Sequence, residues 1–187
     1  LKCASDALEL DEEALTISRE VLGDRHPSTA TALNNLAATY CALDQAEKAL
    51  ALEEEALSIR REVLGDRHPD TATSLGNLAS TYRALCQATE SLPLEEEALS
   101  INREVLGDRH PDTATSIWNL SITLSQLKEH KRAFQLLDEF LLSLPTEHAR
   151  FSELETRALE CLRRSWGAKA GVKVRIQACK QRWRKKS

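Results

Sequence analysis

Three histidines, His26, His68 and His110, stand 42 residues apart, each followed by proline. Imidazole is a common metal ligand, so an evenly spaced trio invites a metal site. Geometry argues against one. Zinc–nitrogen bonds are about 2 Å long, whereas packed helices lie about 8–10 Å apart. Rings placed one repeat apart cannot share an ion, and the three are read as turn residues.

Carboxylates are the next candidates. Glu53-Glu54-Glu55 recurs 42 residues later as Glu95-Glu96-Glu97. Such acids could transfer protons or hold calcium. Because they recur in step with everything around them, they are read as a solvated outer helix face. The cysteines, at 3, 41, 86, 161 and 179, share no repeat position. An odd, unpatterned set argues against a disulfide framework or a zinc site, and reduced thiols in a cytoplasmic protein are expected. No nucleophile–base pairing or Gly-rich phosphate loop stands out. The sequence therefore predicts no catalytic residue, no cofactor, no metal and no small-molecule substrate.

A last chemical candidate is charge. No acidic residue follows Glu160, and ten cations do, leaving −14 on the rest of a chain whose net charge is −4. Val172, Ile176, Cys179 and Trp183 follow i, i+4, i+7, i+11, with Lys173, Arg175, Lys180, Arg182 and Arg184 around them. This segment could be a basic amphipathic helix that touches an acidic filament, anionic lipid or nucleic acid, or folds back on acidic faces. A disordered, solvated end is the expectation preferred. Neither membrane nor nucleic acid is expected as the main partner.

These residues are positioned by a repeat. Leu-Gly-Asp-Arg-His-Pro occurs at Leu22–Pro27, Leu64–Pro69 and Leu106–Pro111, and residues 22–63 match 64–105 at 31 of 42 positions without a gap. A fixed period of this size marks a solenoid, which buries a seam between neighbours in place of one central core. A hydrophobic content of 42% supports that seam, and aromatics at only 4% suit close helix packing.

Each repeat predicts two helices. The first starts at the repeated proline, whose missing N–H costs nothing at the first helical position. Asp70 and Asp112 follow, at the positive end of the helix dipole. Ala30, Leu33, Leu36, Ala37, Tyr40 and Leu43 form one apolar face. After a break near Asp44–Gln45, the second helix has two stripes: Leu52, Ala56, Ile59 and Val63, then Ala49, Leu50, Leu57 and Leu64. Two stripes suit a helix that packs on its own partner and on the next repeat. Gly23, Gly65 and Gly107 stop the helices. Pro93 sits near the start of its helix and is expected as a tolerated kink.

The chain thus divides into an array over 1–145, with a half repeat at 1–21 and full repeats at about 22–63, 64–105 and 106–145. A capping helix over 146–166 is expected, with Leu154, Ala158, Cys161 and Leu162 on one side, and a basic tail over 167–187. The half repeat should expose an apolar flank where its partner helix is absent. With no Met and a start in mid-repeat, the chain is expected to be a piece of a longer protein. The fold class expected is all-α: a right-handed superhelical solenoid of antiparallel helix pairs.

The sequence His-Pro-x-Thr-Ala-x-x-Leu-x-Asn-Leu-Ala-x-x-Tyr at 26–40 and 68–82 resembles the tetratricopeptide repeat. With Glu-Ala-Leu-x-Ile-x-x-x-x-Leu-Gly-x-x-His-Pro at 55–69 and 97–111, it is similar to the 42-residue kinesin light chain type. The resemblance covers roughly residues 7–144. It implies an adaptor for microtubule-based transport, cytoplasmic and cytoskeleton-associated, holding a partner peptide in a groove lined by first helices. Asparagines of the motif, here Asn35, Asn77 and Asn119, would bond the peptide backbone, since an amide offers both donors and an acceptor. Neighbouring groove positions would be Asn34, Ala38, Gly76, Ser80, Arg83, Trp118 and Ile122, with Trp118 a candidate anchor. A kinesin heavy chain complex would engage regions outside this chain. Two other readings stay open: a motor-independent scaffold in signalling or ciliary assembly, and an electrostatic binder of filament or nucleic acid through the tail.

Overall fold

The computed structural model describes residues 2–143, 150–166 and 172–185, with side chains omitted at 2–5, 151, 166 and 172–175. Every described element is a helix, and the chain forms two compact units, residues 1–101 and 102–187.

The first unit holds α1 (Lys2–Leu22), α2 (Pro27–Ala42), α3 (Ala46–Leu64), α4 (Pro69–Ala84) and α5 (Ala88–Val105) through Ile101. Its boundaries have local causes. Gly65 has φ 89° and ψ 163°, a region nearly closed to other residues. Thr71 Oγ1 then donates to the Gly65 carbonyl at 2.8 Å, and Thr29 does the same to Gly23. The repeated histidine is the N-cap. His26 Nδ1 accepts from the Ser28 amide and His68 Nδ1 from the Asp70 amide, both at 3.1 Å. The ring nitrogen fills the place that Ser or Asp oxygen usually takes, so the turn reading of these histidines acquires a mechanism.

The two stripes on α3 divide as the pattern predicts. Leu52, Ala56 and Ile59 pack with Ala30, Leu33 and Leu36 of α2. Leu50 and Leu57 pack with Ala72, Leu75 and Leu78 of α4, joined by Ala98 and Ile101 of α5. Val63, assigned by pattern to the first stripe, is 46% exposed. Helix α5 runs on through Pro93, which is exposed.

The glutamate triplets do not form one solvated face. Glu53 and Glu95 are buried, at 4% and 2% exposure. Their neighbours turn outward: Tyr82 Oη donates to Glu54 Oε1 at 3.4 Å, and Glu55 receives a two-pronged bond from Arg19 at 2.7 and 2.9 Å. Arg61 repeats that fork on Glu97, at 2.7 and 2.8 Å. Second helices of successive repeats are thereby laced by guanidinium–carboxylate pairs of the stronger, charge-assisted kind.

The second unit contains the end of α5, α6 (Pro111–Gln126), α7 (His130–Ser143), α8 (Phe151–Trp166) and α9 (Val172–Arg184). His110 caps α6 through the Asp112 amide at 3.2 Å. Ile117, Leu124, Leu137, Phe140, Leu141, Leu154 and Trp183 form its interior. Leu154, Ala158, Cys161 and Leu162 of α8 are buried, and α8 packs on α7. The expected junction at 145–146 lies outside the described residues.

The tail departs from the expected solvated end. Helix α9 packs on both α7 and α8. Trp183 is fully buried, and its Nε1 donates to Asp138 Oδ1 at 2.8 Å. Arg182 pairs with the same oxygen, and Arg184 bonds both Glu155 oxygens at 3.1 and 3.0 Å. The cause is an apolar edge ending in Trp183 combined with two carboxylates, which together outweigh the solvation of the cations. Beyond α8 there is thus a further helix, and α8 and α9 form a pair.

Candidate peptide-binding face

In the first unit the face to consider is the side of α2 and α4 turned away from the second helices. Packing decides which side that is. With Leu33 and Leu36 committed to the seam, Thr31, Asn35 and Ala38 are left exposed on α2, and Thr73 and Ser80 on α4, with Asn77 half-buried. Helices α2 and α4 touch directly. Thr31 and Thr73 return their hydroxyls to the Pro27 and Pro69 carbonyls, at 3.2 and 3.1 Å. Asn35 and Asn77 carry amides with no hydrogen-bond partner among the described residues.

Other expected site residues point elsewhere. Asn34 is 8% exposed, and its Nδ2 donates to Ser74 Oγ at 3.3 Å, tying α2 to α4. Arg83, the one cation expected in the groove, turns inward, with Nη1 2.9 Å from Glu95 Oε1. In the second unit Trp118 and Asn119 are half-buried on α6, and the Arg157 guanidinium lies over the Trp118 ring, 5.9 Å from its centre. Arg157 also donates to the Ser121 carbonyl at 3.3 Å. Trp118 therefore already has a cation–π neighbour on one face. Of the tail set, Arg182 and Arg184 are paired with acids, Lys180 is half-buried, and the Lys173 and Arg175 side chains lie outside the described residues.

The residues that stiffen the face carry no mark in the sequence motif. Arg60, 6% exposed, reaches from α3 between the first helices. Its Nη1 donates to the Asp70 carbonyl and to Ser74 Oγ, both at 2.9 Å, and its Nη2 to Thr31 Oγ1 at 3.3 Å. Burial lowers its pKa, and Asp70 counters that. In the second unit Asn102 takes the equivalent place, donating to Ser116 Oγ at 2.9 Å. Behind the face, Thr39 Oγ1 donates to Asp11 Oδ2 at 2.5 Å. One repeat on, Thr81 hydrogen-bonds Glu53, whose carboxyl is pushed up to about 7 by burial despite that bond. Cys41 Sγ lies 3.4 Å from Thr81 Oγ1. The one available signal is the mismatch between copies: Arg60/Asn102 and Cys41/Arg83 are among the few positions where the repeats differ.

Helix pairs recurring in phase, capped by His, stopped by Gly and presenting a polar first-helix face, define a helical repeat module for protein interaction. The chain belongs to the tetratricopeptide repeat family, whose model matches residues 1–62, 34–104 and 70–141. Its fold is similar to that of the putative kinesin light chain nearly identical TPR-like repeats of Podosopora anserina. One crystal structure of those repeats, of a substituted form, gives 23% identity, with 98% of this chain and 89% of that one covered at a TM-score of 0.82. A second gives 23% identity, 95% and 87% coverage and a TM-score of 0.82. BtubC (BKLC) from P. vanneervenii aligns at 21% identity, covering 96% of this chain and 71% of that one, with a TM-score of 0.79. No curated protein matches the sequence. Among the described residues, no helix is long and apolar enough to cross a membrane.

Proposed function

We propose that this chain is a non-enzymatic adaptor that holds an extended segment of a partner protein on the first-helix face of residues 1–101. Asn35 and Asn77 are the contacts to the peptide main chain. The observation carrying this reading is their pairing: two amides at the same repeat position, on touching helices, with no partner of their own among the described residues. Helix axes about 8–10 Å apart match roughly three residues of extended chain, at about 3.3 Å per residue. An amide that donates and accepts suits a backbone of any sequence. The buried Arg60 and Asn34 bonds hold the helices in place beforehand, which lowers the ordering cost of binding.

Trp118 and Asn119 extend the proposal to the second unit as a separate contact surface. The likeness to kinesin light chain repeats supports an adaptor role in microtubule-based transport, in the cytoplasm beside the cytoskeleton, with a kinesin heavy chain complex as the assembly partner. A motor-independent scaffold would use the same face. The tail supports an electrostatic role less well, because Arg182 and Arg184 already have acidic partners.

The test is peptide display selection on the full chain, followed by affinity measurement of the selected peptides. Asn35→Leu with Asn77→Leu should weaken binding at least about tenfold, the loss of one to two good hydrogen bonds. Unchanged affinity would remove both residues from the mechanism.

A further inference from the structure

Two copies of one repeat position differ in what meets a buried acid. Glu95 is met by a guanidinium: Arg83 Nη1 lies 2.9 Å from its Oε1, and the Arg83 side chain is itself only 12% exposed. Glu53, 42 residues earlier and 4% exposed, is met by Thr81 alone, and its Oε2 has no hydrogen-bond partner among the described residues. The residue 42 positions before Arg83 is Cys41, whose side chain ends at Sγ, 3.4 Å from Thr81 Oγ1. Thiol and carboxyl thus reach one hydroxyl, the first from α2 and the second from α3.

The cations on the surrounding helices are engaged elsewhere. Lys48 lies over the Tyr40 ring, 5.1 Å from its centre. Arg60 donates to the Asp70 carbonyl, Ser74 and Thr31, and Arg61 to Glu97. The end of α2 shows the same omission. Helix α4 carries Arg83 in its last turn, where a cation meets the negative end of the helix dipole, and α2 carries no base there. A buried carboxyl oxygen left without a partner is costly. Burial pushes the Glu53 carboxyl up to about 7, which leaves it balanced between keeping a proton and accepting a cation. Cys41 is half-buried, so the place is reached from the surface at the thiol.

We propose that the site formed by Cys41, Thr81 and Glu53 receives an arginine side chain of the bound extended segment, whose guanidinium pairs with Glu53 as Arg83 pairs with Glu95. This deepens the reading of the first-helix face and rests on it: α2 and α4, which carry Asn35 and Asn77, also carry Cys41 and Thr81. The amides hold the main chain whatever its sequence, and the buried acid adds a preference for one side chain. The other copy specifies that side chain. Cys41 is shorter than Arg83 by the rest of the stem and the guanidinium, and the ligand supplies that part. Arginine suits the place better than lysine, because its planar fork can bond the carboxylate and a neighbouring acceptor together.

The direct probe is N-acetyl-arginine amide, titrated into the full isotope-labelled chain and followed by NMR at the Cys41, Glu53 and Thr81 amides. Saturable shifts are expected there, and N-acetyl-citrulline amide, of similar shape without the charge, should give none. Glu53→Gln should weaken arginine binding at least about tenfold, and Cys41→Arg, which fills the place from within, should abolish it. Absent shifts, or equal shifts with the citrulline compound, overturn the proposal. Peptides selected on the wild-type chain should carry an arginine whose replacement by citrulline costs at least about tenfold on the wild type and nothing on Cys41→Arg. Selected peptides that lack such an arginine overturn it as well. Asn35→Leu with Asn77→Leu should weaken the peptides and leave the capped arginine unaffected, so failure of the face and failure of the arginine site are told apart.

Discussion

Arg83 Nη1 lies 2.9 Å from Glu95 Oε1, a carboxylate only 2% exposed, and it is the residue that replaces Cys41 one repeat earlier. The equivalent acid, Glu53, is buried and bonded to Thr81, which Cys41 Sγ approaches to 3.4 Å; no guanidinium pairs with it among the described residues, and its carboxyl is pushed up to about 7. A buried charge is tolerated when paired and otherwise takes up a proton.

Stability should therefore depend on pH through Glu53. Its folded pKa is about 7, above the ordinary 4.5, so the folded chain binds the extra proton. The contribution is fully present below about pH 4.5 and is lost as pH rises through 7, by about 3 kcal/mol in total. Denaturation midpoints of the wild type should fall between about pH 5 and 8. Glu53→Gln should flatten that fall, and Cys41→Arg should reduce it by supplying what Arg83 supplies to Glu95. A wild-type slope matched by Glu53→Gln would show that another group titrates.

The histidine caps predict a local loss. His68→Ala removes the acceptor for the Asp70 amide and should cost about 1 kcal/mol, whereas His68→Asn should retain most of it. Amide hydrogen exchange at Asp70 is the direct measure: it should accelerate in the alanine variant and stay slow in the asparagine one.

Much of this is legible from spacing. The 42-residue period, the Pro and Gly boundaries and the two stripes of α3 follow from helix geometry, and the bare flank of α1 follows from the half repeat. The triplet Glu53-Glu54-Glu55 misleads because recurrence suggests one shared face. A helix turns about 100° per residue, so three consecutive side chains span about 200°, and on a helix packed on two sides, against α2 and against α4, one of them, Glu53, falls inward. Arg83 cannot be placed without knowing that Glu95 is buried. The docking of α9 rests on Asp138 and Glu155, which are distant in sequence and carry no mark of their role until the helices pack.

Pro93 predicts a gain. Its repeat equivalent is Ala51, and Pro93 is exposed within α5, so substitution disturbs no packing. An interior proline costs a helix about 3 kcal/mol, partly offset by about 0.4–1 kcal/mol from a stiffer unfolded chain. Pro93→Ala should stabilise by about 2 kcal/mol, read as a higher thermal midpoint. No change would mean that the helix start has already absorbed the missing donor.

Trp183 should anchor the tail. It is fully buried, bonded to Asp138 through Nε1, and flanked by Arg182 on the same carboxylate and Arg184 on Glu155. Trp183→Ala removes the apolar contact and should cost about 3–5 kcal/mol of the docking of α9, enough to release it. Asp138→Asn keeps an acceptor for the indole and removes only the charge shared with Arg182, a pair that is half-exposed on the arginine side, so it should cost far less. Limited trypsin digestion separates the two contributions. The wild type and Asp138→Asn should resist cleavage between residues 172 and 185, and Trp183→Ala should be cut there rapidly. Equal resistance in all three would mean that helix α9 is held by something other than its buried indole. Equal sensitivity of Asp138→Asn and Trp183→Ala would mean that the charge outweighs the packing.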